Sequence, residues 1–279
     1  MSQTERSDRV RRIVVALTVA GAVVAALIGS GLFGGRSISD AAGGAFAADA
    51  TVLAPAGFAF SIWSVIYLGL VAYAIWQFVP AQAHKPRHRA VGYGIAASAL
   101  LNAVWLACVL AWRIAESFVI IVILLGVLLV TFVRACRRPR RGTVAEIVLI
   151  DGMIGLYLGW VTVAAAANLA AWLAAVGITA WSQAPGVPGT ITLIVAGLVA
   201  VFTAWRGGRW APAFATSWGL VWIAVGRWAD GPAAPVVAST AIVLVVIVIA
   251  VTAWRFRARL ARDEGASLSS PSAGSAASG

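Results

Sequence analysis

Tyr157-Leu158-Gly159-Trp160-Val161-Thr162-Val163-Ala164-Ala165-Ala166-Ala167-Asn168-Leu169-Ala170-Ala171-Trp172 carries no charge and no proline, so nothing in it interrupts a helix. At about 100° per residue, Tyr157, Trp160, Ala164, Asn168 and Trp172 fall within one arc of about 120°. Two indoles, a phenol and an amide then line one stripe, with Ala164, Ala167 and Ala171 between and beside them. Small residues let a second helix or a flat ligand approach closely, and the large rings beside them form walls. Two readings stay open from this stretch alone. One is interhelical packing with a tryptophan at a membrane interface; the other is one side of a binding site.

The rest of the chain places this helix in a bilayer. The 279 residues are 61% hydrophobic and 11% charged, with a mean hydropathy of +0.92. Apolar runs of about 20 residues, long enough to cross a bilayer core, recur along the chain. Short alternating segments, the mark of a membrane β-barrel, are not what the sequence offers. The expected fold class is therefore all-α: a polytopic membrane bundle of eight transmembrane helices. The spans run at 13–33, 55–79, 90–112, 118–133, from about 145 through the opening stretch, 187–205, 211–225 and 236–254. The first run, 21 residues from Ile13 to Phe33, exceeds the roughly 7–15 of a signal-peptide core and is expected as a retained helix. Pro55 suits the opening of the second span. Residues 34–54 make a long loop rich in Gly and Ala, a length that suits either a lid or a plain connector. From Gly265 the chain is Ser, Gly and Ala with one Pro, so 263–279 is expected as a disordered cytoplasmic tail.

The charges orient the bundle. With the N-terminus in the cytoplasm and eight crossings, 18 of the 21 Lys and Arg fall on the cytoplasmic side, and only Arg36, Arg113 and Arg227 fall outside. That is a positive-inside pattern with both termini cytoplasmic, in what is expected to be a bacterial plasma membrane. It accounts for the net charge of +11 without nucleic acid as a partner. Arg255, Arg257, Arg259 and Arg262 are expected against anionic headgroups. Cys108 and Cys136 fall near opposite faces and should not pair.

No catalytic constellation is visible. There is no Ser-His-acid set, no Cys cluster and no phosphate-binding glycine loop, so the protein is not expected to be an enzyme. His84 and His88 flank Pro86 among basic residues; they read as a solvated basic loop, not a metal site. Asp151 lies about one turn into the fifth span. It is either a functional intramembrane acid or a residue that complements the helix dipole; Glu146 reads as interfacial. Of the 13 tryptophans, those at span ends suit an aromatic belt. Trp63 with Tyr67 at i,i+4, and Trp105 with Asn102 at i,i+3, instead pair rings with polar partners on one helix face.

These motifs carry a resemblance. The fifth span resembles the fifth helix of the tryptophan-rich sensory protein/translocator protein family, whose pattern is Pro-Tyr-x-x-Trp-x-x-Phe-Ala-x-x-Leu-Asn-x-x-x-Trp. Tyr157, Trp160, Ala164, Asn168 and Trp172 stand at matching places, while Leu156, Val163 and Ala167 replace the Pro, Phe and Leu. The second span is similar to Pro-x-Trp-x-Phe-x-x-x-Trp-x-x-x-Tyr: Pro55, Trp63 and Tyr67 match, and Gly57 and Ala59 replace Trp and Phe. Asn102 and Trp105 reproduce the Asn-x-x-Trp of the third span. The likeness covers about residues 10–177. It implies a five-helix bundle over 1–177, with 178–262 as three additional transmembrane helices.

The resemblance also implies a function. It points to a binding and sensing protein for tetrapyrroles such as protoporphyrin or haem, or similar planar hydrophobic molecules; the three additional helices and Asp151 support the alternative, a small-molecule transporter. Trp63, Tyr67, Asn102, Trp105, Tyr157, Trp160, Ala164 and Asn168 would line the pocket, and the 34–54 loop would cover it. No cofactor is required; porphyrin or haem enters as ligand. The expected partners are the lipid bilayer and a hydrophobic small molecule, and association into a homodimer stays open. The orientation is tested at Cys136, which should react with a membrane-impermeant maleimide only after cells are opened. Labelling in intact cells would refute it.

Overall fold

The computed structural model describes residues 3–30, 44–137, 143–178, 180–181, 184–229 and 231–268. Among them are eight long helices and no strand: α1 (Gln3–Gly29), α2 (Ile62–Trp76, entered through a 3-10 turn at Gly57–Ser61), α3 (Pro86–Leu110), α4 (Ile114–Cys136), α5 (Val144–Ala175), α6 (Gly186–Gly207), α7 (Trp210–Trp228) and α8 (Pro235–Leu268). Seven are long and apolar enough to cross a membrane. The exception, α7, has 19 residues, about 28 Å at helical rise. Its Gly, Ser, Thr and Arg residues keep its hydropathy low; Thr216 and Gly219 face α5, and Gly226 and Arg227 face the α1–α2 loop.

Local sequence sets several boundaries. Pro86 opens α3, where its missing N–H costs nothing. The Thr143 side chain caps α5 by accepting from the Glu146 N–H. Gly208 ends α6 at φ +50°, and a Cβ there would stand 3.3 Å from the Arg255 backbone. Glycine thus permits both the left-handed turn into α7 and the close approach of α8. The region expected as a basic loop is partly helix, because α3 begins before the expected position 90. α8 likewise continues past residue 262, where the tail was expected to begin. Residues 269–279 and 31–43, which include most of the expected tail and part of the expected lid, lie outside the described residues.

Helices pack in the order α1, α3, α4, α5, α7, α8, α6, with α2 against α1 and α5. α5 is the most enclosed. One side of it puts Tyr157 and Trp160 into a core shared with α1–α4. Another puts Val163, Ala166 and Ala170 into a second core with Leu193 of α6, Leu220 and Ile223 of α7 and Val237 and Ala241 of α8. Apolar side chains gain little by leaving lipid for protein, so close packing and polar bonds must hold these helices together. At the α5–α7 crossing a Cβ on Gly159 would lie 2.3 Å from the Pro212 carbonyl oxygen and 2.9 Å from Ala215 Cβ. Thr216 Oγ1 donates to the Gly159 carbonyl at 3.2 Å. The two backbones meet with no room for a side chain.

Part of the basic end of the bundle is internal, which corrects the expectation of a solvated loop for Arg87 and His88, while His84 and Arg89 are exposed as expected. Arg87 and His88 are buried in the first turn of α3. His88 Nδ1 lies 3.1 Å from Tyr73 Oη. Glu146, expected at the interface, is buried and pairs with Lys85 and Arg87. Asp151 sits in a π-helical segment, Ile147–Gly152, a distortion often found at functional positions. Its Oδ1 accepts from both Arg87 of α3 and Arg209 at the start of α7. Arg209 also donates to the Ala135 carbonyl of α4 at 3.1 Å. On α1, Asp8 receives a two-point contact from Arg89 of α3, with Nε to Oδ1 at 2.9 Å and Nη2 to Oδ2 at 2.5 Å.

Two outcomes test this account by thermal unfolding in detergent. Gly159→Ala should lower the midpoint, an overpacking cost of about 1–3 kcal/mol. Gly126→Ala, whose Cβ meets nothing within 4 Å, should not. Asp151→Asn should cost about 3–5 kcal/mol, because Arg209 keeps its buried charge without a counter-ion and Arg87 is left with Glu146 alone. An unchanged midpoint for Asp151→Asn would show that the network does not hold α3, α5 and α7 together.

Candidate ligand-binding site

Three helices bring the eight site residues of the sequence reading into one region. On α2, one helical turn stacks Trp63 on Tyr67, with ring centres 5.4 Å apart and planes at 25°. Trp105 of α3 lies nearly parallel to Trp63 at 6.2 Å and 27°. From α5, Tyr157 and Trp160 meet Trp63 edge-on at 5.8 and 6.2 Å. Trp63 is therefore the hub, and each neighbour is in a favourable ring geometry.

Amides and hydroxyls lock the rings. Asn102 Nδ2 donates to Tyr67 Oη at 2.6 Å. Trp105 Nε1 donates to Asn168 Oδ1 at 3.0 Å, and Asn168 Nδ2 donates to the Ala164 carbonyl at 2.9 Å. Tyr157 Oη donates to the Ser98 carbonyl at 3.1 Å. Ser117 of α4 reaches Asn168 Oδ1 at 3.4 Å. Asn102 Oδ1 and Trp160 Nε1 are buried with no hydrogen-bond partner. Such orphaned groups are uncommon in a finished core.

Two spaces adjoin this cluster. The larger, about 580 Å³, lies between α1 and α2 beneath Phe46, Ala47 and Ala48 of the α1–α2 loop. Trp63, Tyr67 and Trp105 form its aromatic wall. The smaller, about 30 Å³, has room for a water or two and lies between the loop and α5, against Trp160, Ala164 and Asn168. Phe46, Phe60, Trp63 and Trp105 border both.

The expected residues thus divide. Trp63 and Trp105 line both spaces, Tyr67 only the larger, and Trp160, Ala164 and Asn168 only the smaller. Asn102 and Tyr157 line neither and act from behind as supports. Several lining residues escaped the sequence reading. Phe60 lies one turn before Trp63, and that i,i+3 spacing was a usable signal. Phe46 is the one aromatic residue of the 34–54 loop. The α1 residues Val23, Ala26 and Leu27, and Ser30 just after the helix, carry no signal that separates them from any lipid-facing helix. Among the described residues no group of three His, Cys, Asp or Glu could hold a metal.

A family model described as TSPO-like protein matches residues 12–254. The match starts in α1 and ends in α8, so it runs past residue 177 through all eight helices. No curated protein and no solved structure gives a significant match. With most of its length matched by that model, this integral membrane protein belongs to the TSPO-like protein family.

Proposed function

We propose that the protein binds a tetrapyrrole such as protoporphyrin, or a similarly planar hydrophobic molecule, in the 580 Å³ chamber between α1 and α2. The observation that carries this reading is the aromatic wall. Trp63, Tyr67 and Trp105 present near-parallel rings to a space within the roughly 300–1,000 Å³ of small-molecule sites. A flat macrocycle can stack on such a wall. Ser30, Ser64 and the Asn102-held Tyr67 hydroxyl supply the few polar contacts. Family membership supports a binding and sensing role.

The lining bears on the choice among tetrapyrroles. Haem iron takes His, Cys, Met or, less commonly, Tyr as protein ligands. Among the described residues that line the chamber there is no His, Cys or Met, and Tyr67 is the one phenol. A metal-free porphyrin therefore suits it better than haem. The transporter alternative drew on Asp151 as an intramembrane acid, but that carboxylate is engaged by Arg87 and Arg209, which favours a structural role for it.

Titration of the purified protein with protoporphyrin should give about one site per chain and a shifted Soret band. Removing a stacked indole should weaken binding by about 1–3 kcal/mol, roughly 5- to 150-fold. Trp63→Leu should show this in full. Trp160→Leu, which borders only the smaller space, should show less, and the distant Trp254→Leu nothing. If Trp63→Leu binds like the parent, porphyrin is partitioning into detergent and the chamber is not its site.

A further inference from the structure

The described part of the α1–α2 loop forms a wall of both spaces, and α7 holds that wall from behind. Arg227, in the last turn of α7, is only 3% exposed. Its Nη1 donates to the Thr51 carbonyl at 2.5 Å, and its Nη2 donates to those of Ala48 and Ala54 at 3.0 and 3.2 Å. Ala48 lines the larger space; Thr51 and Ala54 line the smaller. Every carbonyl that the guanidinium takes therefore belongs to a residue of the pocket wall. A planar fork pins the three points from two rigidly spaced nitrogens, whereas an ammonium gathers its three donors on one atom at the end of a flexible stem.

Phe46 packs into the first core, and further contacts of the loop run to the C-terminal helices. Ala56 N donates to the Trp222 carbonyl of α7 at 3.1 Å. Val52 and Leu53 are buried at 1% and 0% exposure in the core shared with α6 and α8. Gly189 of α6 makes room there, since a Cβ on it would stand 2.8 Å from Val52 Cγ2. The other described arginine at this end, Arg113, is exposed and pairs with its neighbour Glu116. Among the described residues no carboxylate lies within ion-pair distance of Arg227. The Asp49 carboxylate of the same loop segment acts on it only from beyond that distance, so the direct partners of this buried cation are the three loop carbonyls, a costly arrangement that calls for a geometric reason.

We propose that Arg227 is a positioning residue of the ligand site: it fixes residues 48–54 as the wall of both spaces, so that α6–α8 govern ligand exchange. The proposal rests on reading the larger chamber as the porphyrin site, and its test separates the two.

The test uses the full chain with Cys108 and Cys136 replaced by Ala and a spin label on a cysteine at exposed Ala50. Four versions are compared: parent, Arg227→Ala, Arg227→Lys and, as control, Arg113→Ala. Loop mobility is read from the label, protoporphyrin association and dissociation from stopped flow, and helix melting from circular dichroism. Arg227→Ala should mobilise the label and speed both association and dissociation, each by about tenfold or more, so that affinity changes less than either rate. The melting of the helices should shift little. Arg227→Lys, which keeps the charge without the fork, should fall between, and it decides the matter if Arg227→Ala does not fold. Arg113→Ala should match the parent.

A label as immobile in both Arg227 variants as in the parent would overturn the proposal. So would a mobile label with unchanged exchange rates. If the parent binds no porphyrin, the ligand reading fails by itself, and an immobile label would still refute the anchoring role.

Discussion

Backbone contact between α5 and α7 is the constraint from which the arrangement of this bundle follows. Gly159 lets the Pro212 carbonyl and Ala215 come within a distance that any side chain would forbid, and Thr216 bonds across the gap. With α7 this close, both of its ends become useful. Arg209 at its start reaches Asp151 of α5 and the Ala135 carbonyl of α4. Arg227 at its finish reaches the α1–α2 loop. One helix crossing thus sets a charge network at one end of the bundle and the pocket wall at the other. The same closeness gives α7, the one long helix not apolar enough to count as a span, partners in α5 for Thr216 and Gly219.

The site shows how aromatic packing can be firm and still leave space. Trp63 touches four rings, and the hydrogen bonds of Asn102, Asn168 and the Tyr157 hydroxyl hold those rings at fixed angles. Supports of this kind let a wall keep its shape without a ligand, which lowers the ordering cost of binding. The larger space opens between α1 and α2. The wall against α5 is tight and the wall against α1 is not.

The arginines at the basic end serve two purposes that a charge count merges. Arg11, Arg87 and Arg209 are buried, and the last two share Asp151. Arg255 lies over the rings of Trp205 and Trp254 at 4.9 and 5.7 Å and donates to the Trp205 carbonyl, as suits a residue at a membrane surface. Buried ion pairs add little stability over an apolar replacement, but they penalise wrong pairings strongly. In a bundle of similar apolar helices, that penalty selects which helix lies beside which.

Much was legible in the chain itself. Long apolar runs dictated spanning helices, because a bilayer leaves the backbone no other way to satisfy its hydrogen bonds. The spacing of Tyr157, Trp160, Ala164 and Asn168 dictated their shared stripe, because helical periodicity is local. The family likeness anticipated that Trp63 and Trp105 would join them. What only the tertiary structure decided is everything whose partner is far along the chain. Asp151 could have been a free acid, and its two arginines lie 64 and 58 residues away. Arg227 read as one outer-loop charge, while the carbonyls it holds lie more than 170 residues earlier. Asn102 and Tyr157 read as pocket lining and proved to be supports behind it, since a helix face in a sequence shows direction but not depth. Local spacing encodes which residues share a face; only the packed backbone determines what that face meets.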